Sequence, residues 1–305
     1  MKYTAYNFGH DEFDNSTKML ANWRRERNPN VYQRMPLGFG NTPGPRQDIH
    51  GLRQPSAAEQ TFVIATIRFK TSRTFIQNLF PTASFKFKSP ATVVQASFKS
   101  TKLDNMRWLG GGGYNHFGLY LHDVMYVKRD GSVVDGSYLP VLFENLTDPI
   151  LSGRDELGMP KIYCDLDDQI QGSSYTLQAS WRGAKFASFT IEDLKSPGAD
   201  QPTPIADPRT LVYKYVPAVG EPGKADCEYP VVISHDAEGE VVPKVESKEI
   251  SSNASIKFDS LEFKKIPTLH HIVSKLAEIP IYEIVEASVV RGSGVTDLFA
   301  ARRIE

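Results

Sequence analysis

Apolar and polar positions change their rhythm near residue 59. Beyond it, short apolar runs alternate with polar residues at the two-residue period of half-buried strands. "TFVIATIRF" is β-branched and aromatic, and "ATVVQASFKS" alternates. "HFGLYLHDVMYVKRDGSVVDGSYLPVLFEN" holds two or three strands with a turn at Arg129-Asp130-Gly131. "SYTLQASWRGAKFASFTIED" reads as a hairpin turning at Arg182-Gly183, and "RTLVYKYVP", "ASIKFDSLEFKKI" and "IYEIVEASVVRG" as further strands. Helical spacing occurs in "SRTFIQNLFP", which stops at Pro81, and in "HHIVSKLAEIP". "ISHDAEGEVVPKVESKE" is a charged loop with one edge strand, and no internal repeat is present.

Many strands, short turns and few helices predict a mainly β (α+β) fold. A doubly wound parallel sheet is disfavoured, since no regular long helices separate the strands. Residues 1–58 read differently. "NWRRERNPNVYQRMPLGFGNTPGPRQDIHG" is polar and rich in Asn, Pro, Gly and Arg, with a short helix expected over Ser16 to Arg27. This segment reads as an N-terminal arm that wraps the domain or an oligomer partner, and residues 59–305 as the domain itself. The arm's aromatic residues argue against pure disorder.

With 35 basic and 36 acidic residues, the formal net charge is −1. That balance argues against a dedicated nucleic-acid surface or an anionic-membrane surface. There is no apolar run of about 18 residues, and Met1-Lys2-Tyr3-Thr4 lacks a signal-peptide core. A cytoplasmic protein is the expectation. Cys164 and Cys227 form no ligand cluster, so no metal site is expected; one disulfide between them stays open.

One stretch invites chemistry: "GRDELGMPKIYC", residues 153–164. A surface lysine is the bland reading of Lys161. Yet it begins an apolar run with Ile162, Tyr163 and Cys164. A lysine packed among apolar residues loses solvation and its pKa falls. A neutral amine is a nucleophile that can form a Schiff base. Arg154 and Asp155 read as an ion pair fixing the loop before Lys161, with Glu156 a solvent-facing neighbour. "GGGGYNHFG", Gly110 to Gly118, lacks the Gly-Lys-Ser/Thr ending of a phosphate loop and reads as a bulge or flap. His116 and His122, six residues apart in the sequence, share one side of a regular strand, in a cavity or on the surface.

The segment "YLPVLFENLTDPILSGRDELGMPK" resembles the acetoacetate decarboxylase family, with Gly153, Arg154, Asp155, Pro160 and Lys161 on the family's positions. "NLFP", "LVYKYVPAVG" and "LAEIPIYEIVEASVV" agree in order, so the resemblance covers roughly residues 60 to 297. It implies a curved, antiparallel, closed β-barrel enclosing a cavity, with a few outer helices, built into a homo-oligomer. It implies that Lys161 lies in the cavity and forms an imine with a small-molecule keto substrate, without a cofactor. The loop residues Arg154, Asp155, Glu156 and Pro160 would support it.

The chain also departs from the family pattern. The lysine that follows the Schiff-base lysine is Ile162 here, and His116 replaces the glutamate of a Tyr-x-Glu-x-Gly segment. A second family glutamate falls on Ala96, and the carboxylate-binding arginine on Phe62. The resemblance therefore implies a decarboxylase-like lyase acting on a larger, less charged keto substrate, such as a polyketide-type secondary metabolite. Lys161 and His116 would be catalytic, and Tyr114, Phe62, Ala96, Ile162, Met159 and His122 would line the pocket. His116 would serve as an acid or base near neutral pH. The alternative is a cyclase, isomerase or hydrophobic-ligand binder that uses His116 and no imine.

Overall fold

A computed structural model describes residue 35 and residues 60–106, 109–197, 209–234, 244–294 and 301–305. The expected arm, apart from Met35, and its helix lie outside the described residues. The chain divides into two units, Met1–Ala57 and Ala58–Glu305, and the fold below is that of the second.

Fifteen strands are described: β1 (Gln60–Ser72), β2 (Phe85–Phe87), β3 (Val93–Asp104), β4 (Tyr114–Val127), β5 (Val133–Glu144), β6 (Lys161–Tyr163), β7 (Asp165–Gln171), β8 (Ser174–Trp181), β9 (Ala184–Glu192), β10 (Arg209–Pro217), β11 (Ala225–Ser234), β12 (Lys244–Ser251), β13 (Asn253–Phe258), β14 (Glu283–Gly294) and β15 (Ala301–Arg303). The helices are α1 (Arg73–Ile76), which runs into a 3-10 turn at Gln77–Leu79, α2 (Thr147–Leu157) and α3 (His270–Ala277). Among the described residues no helix is long and apolar enough to cross a membrane.

The strands build two open sheets where a closed antiparallel barrel was expected. The larger runs β12-β14-β1-β3-β4-β5-β10-β11-β15, with β2 and β6 attached to β4 and β5; the smaller runs β13-β9-β8-β7. Strand alternation cannot distinguish these outcomes, because closure depends on which strands pair at the ends. Two pairings, β5 with β10 and β5 with β6, are parallel. The second is made possible by α2, which carries the chain back after β5.

Alternation sends each strand's residues to two faces. One face of the large sheet carries Phe98, Phe117 and Phe143 into a core shared with Phe186, Phe189 and Phe258 of the small sheet. Phe117 meets Phe189 edge-on at 5.9 Å, and Phe143 packs on Phe186 at 5.4 Å. Cys164 is buried in this core; it and Cys227 are free thiols, so the disulfide left open by the sequence is not formed. The hairpin turn at Arg182-Gly183 is where the pattern placed it, with both residues at positive φ. The opposite face of the large sheet is more polar, and it holds the candidate site.

Candidate active site

Cross-strand register defines the site. Partners directly opposite each other share a face. One row runs Thr66, Lys99, Gly118, Leu142, Lys161 across β1, β3, β4, β5 and β6. The next runs Ile64, Thr101, His116, Glu144, Tyr163. Lys161, His116, Glu144 and Lys99 therefore share one face, although up to 62 positions separate them in sequence.

Lys161 is buried, with 6% of its surface exposed. Its Nζ donates to the Pro149 carbonyl at 3.0 Å and lies 2.8 Å from Glu144 Oε1. Glu144 is fully buried. The ion pair lies off a good hydrogen-bond axis, and neither carboxylate oxygen receives an aligned hydrogen bond among the described residues. Burial raises the Glu144 carboxyl above its ordinary value, and the Lys161 ammonium opposes that shift.

The loop from α2 to β6 holds the lysine in place. Gly158 ends the helix in the left-handed conformation (φ 70°), and its N–H bonds to the Gly153 carbonyl. Arg154 Nη1 donates to the Lys161 carbonyl at 2.9 Å. This bond replaces the expected Arg154–Asp155 ion pair, which is absent among the described residues; the Asp155 carbonyl accepts from Lys214 Nζ at 2.5 Å. Pro160 contributes its carbonyl, which accepts from Leu142 N–H at 3.1 Å. Glu156 is half-buried, not solvent-facing. Gly153 provides the decisive space: a Cβ there would lie 2.4 Å from both Cδ and Cε of Lys161 and 2.7 Å from Nζ. The lysine stem packs against bare helix backbone.

His116 is partly accessible, but its Nδ1 is buried without a hydrogen-bond partner among the described residues. Burial, then Lys161, then Lys99 push its imidazole down to about 3. It is therefore neutral near pH 7, and the expectation of an imidazole poised to exchange charge there is corrected. The sequence showed the residue, but its burial comes from strand packing. Tyr120 lies on the same face, its phenol held neutral by burial and then by Glu144.

Four expected pocket residues lie elsewhere or have other partners. Ala96 and Ile162 belong to the opposite face and pack in the phenylalanine core. Ile162 must do so, because successive strand residues alternate and Lys161 takes the site face. His122 does share the site's face, but Ser97 Oγ and Ser137 Oγ occupy Nε2 at 2.9 Å and Nδ1 at 3.0 Å. Phe62 is on the site's face, two rows beyond Lys99, packed with Leu103, Met106 and Tyr114. Tyr114 reaches the site's border, its ring 6.2 Å from that of His116. Met159 packs against the buried cluster of Leu139, Leu142, Val212, Val231 and Ile233.

Glu144 and Lys99 escaped the sequence reading. Glu144 had a signal: an acid ending the apolar run "YLPVLFE", the same misfit that singled out Lys161. Lys99 had a weaker one, as part of the polar stripe Gln95, Ser97, Lys99.

A buried lysine–carboxylate pair thus lies on one face of the large sheet, held by the end of α2 and the Pro160-Lys161 turn. The profile of the acetoacetate decarboxylase (ADC) family matches residues 41–293, and the chain belongs to that family. No curated protein matches the sequence. Among solved structures, acetoacetate decarboxylase from Legionella pneumophila subsp. pneumophila str. Philadelphia 1 is similar at 15% identity and a TM-score of 0.54, over 82% of this chain and 88% of that one. An acetoacetate decarboxylase-like enzyme from Sphingomonas wittichii RW1 is similar at 13% identity and a TM-score of 0.57, over 85% and 99%. The enduracididine biosynthesis enzyme MppR, complexed with pyruvate, is similar at 12% identity and a TM-score of 0.59, over 91% and 99%. These likenesses are of fold. They include an enzyme outside the decarboxylases by name, so the fold leaves the reaction open.

Proposed function

We propose that the protein is a decarboxylase-like lyase that uses Lys161 to form an imine with a keto substrate. The observation that carries this reading is the buried Lys161–Glu144 pair, with its unaligned carboxylate. Two buried ions are costly, and moving the proton from ammonium to carboxylate leaves two neutral groups. Glu144 would accept that proton, and the freed amine would attack the ketone carbonyl. Glu144 would return the proton to the carbinolamine hydroxyl as it leaves as water. The protonated imine then takes up the electron pair of a breaking carbon–carbon bond, and carbon dioxide departs if that bond joins a β-carboxylate. The enamine is protonated at carbon and hydrolysed to release product. Neutral His116 would contribute a hydrogen bond beside the reacting centre, not a charge.

A second reading, a cyclase, isomerase or ligand binder without an imine, gains from one observation. Lys161 Nζ is already engaged, by an ion pair with Glu144 and a hydrogen bond to the Pro149 carbonyl, as a structural lysine would be.

Acetylacetone separates the two, because it condenses with a free amine to an absorbing enaminone and water. Saturable absorbance at near-neutral pH, with the adduct on Lys161 by peptide mass and absent in Lys161→Ala, is the expected result. Failure to label Lys161, alongside activity that His116→Ala abolishes and Lys161→Ala leaves intact, would favour the second reading.

A further inference from the structure

The run of chain that carries Lys161 grips the site a second time. Only Cys164 stands between β6 and β7, so this run passes from the large sheet to the edge of the small one. Lys161 lies at its start, against Glu144. Cys164 N–H then donates to the Glu144 carbonyl at 3.0 Å. Asp168 lies seven positions beyond Lys161, its side chain only 7% exposed.

Asp168 reaches the site from behind. Asn115 Nδ2 donates to Asp168 Oδ1 at 2.6 Å, and Lys102, opposite Asn115 on β3, places Nζ 3.9 Å from the same oxygen. Asn115 precedes His116 in the chain, and Asn145 follows Glu144. His116 and Glu144 face each other where the β4–β5 ladder ends. One step further, Asn145 N–H donates to the Asn115 carbonyl at 3.3 Å, but Asn115 N–H goes to Asn145 Oδ1 at 2.8 Å. A side chain thus makes one of the two bonds that a paired strand would exchange. Glu144 depends on this arrangement. Neither of its carboxylate oxygens receives an aligned hydrogen bond among the described residues, so the backbone that carries the carboxylate decides its place. That backbone is the last residue of β5, and element ends open most readily.

We propose that Asn115, Asn145 and Asp168 are positioning residues that pin the ends of β4 and β5 and so hold the Glu144 carboxylate against Lys161 for imine formation. This rests on the imine reading of Lys161. The bond from Asn115 to the Asp168 carboxylate is charge-assisted, which makes it the strong member of the network. A network that only joined the two sheets would contribute stability without acting through Glu144.

Acetylacetone labelling of Lys161, followed up to saturation, separates the two roles. Asn145→Ala removes the Oδ1 acceptor, and Asn115→Ala removes the Nδ2 bond to Asp168 while keeping the backbone bonds. Each should lower the saturating rate by roughly ten- to hundredfold, the scale of a small misplacement, with the half-saturating concentration within about twofold. Added to Glu144→Gln, the same substitutions should change the rate by less than about twofold, because the base they position is already gone. If the variants label at the wild-type rate, or slow labelling equally with and without the Glu144 carboxylate, the network only joins the sheets and the proposal falls. Should one variant fail to fold, the other carries the test. Failure of both to fold makes the network a stability device and also ends the proposal. In each of these cases wild type still labels at Lys161. A wild type that does not label ends the imine reading, and this proposal with it.

Discussion

Glu144 shows what one buried carboxylate does for the lysine beside it. Glu144→Gln keeps the shape and removes the proton acceptor. Acetylacetone should still label Lys161, but the initial rate should fall by about 10²–10⁴, the usual worth of general base catalysis. An unchanged rate would remove Glu144 from the proposed mechanism. Gly153 is the complementary case, in which the missing side chain matters. Gly153→Ala puts a methyl group where the Lys161 stem lies. The stem must move, so labelling should be lost, with overpacking costing about 1–3 kcal/mol in denaturant unfolding. A variant that labels at the wild-type rate would show that the stem can find another path. Both residues were visible in the sequence, Glu144 as a misfit in an apolar run and Gly153 as part of a motif. Neither contact with Lys161 was, because each depends on where two distant segments meet.

At the scale of elements, α2 and β6 act together. Helix, left-handed Gly158, Pro160 and strand set the Lys161 backbone, and Arg154 clamps its carbonyl. Arg154→Ala should loosen that clamp while leaving the lysine in place. The expected outcome is slower labelling, recovered in part by Arg154→Lys, with little change in unfolding midpoint because Arg154 is an exposed residue. A wild-type rate in Arg154→Ala would make the bond incidental. Legibility at this scale was uneven. The long strands and the β8–β9 hairpin declared themselves by period and turn chemistry. Polar β7, "DLDDQIQ", did not, since its exposure pattern has no clean alternation. Helix α2 was hidden too: it carries Pro149 and Gly153 and follows a strand directly, so local propensity argues against it.

For the whole molecule, the buried histidines give stability a pH signature. His116 and His122 both sit at about 3, owing first to burial, then to Lys161 and Lys99 for one and Arg68 and Lys99 for the other. Their ordinary value is 6.5, so the unfolded chain takes up protons below it while the folded chain does not until about 3. Their contribution is whole above 6.5 and is lost as pH falls toward 3. Glu144 has the opposite sign. Raised in the fold, it weakens stability as pH rises past its ordinary 4.5. Below about pH 6 the two histidines favour proton uptake on unfolding, and Glu144 works against part of that uptake. The unfolding free energy from urea titration should fall as pH drops from about 6 to 5, by up to about 1.4 kcal/mol per pH unit for each net proton taken up. A flat free energy across that range would contradict the burial of the two rings.

The sequence alone determined the strand-rich class, the hairpin positions, the family and the lysine to suspect, because period, turn chemistry and a motif at fixed spacing are local properties. Tertiary structure decided which residues surround that lysine. Whether the sheet closes, which face takes Ile162, and whether Glu144 and Lys99 share a face with Lys161 all follow from strand register. Register is set by pairings between distant segments and by the burial of the opposite, phenylalanine-lined face, and a shift of one residue would send every side chain in a strand to the other side.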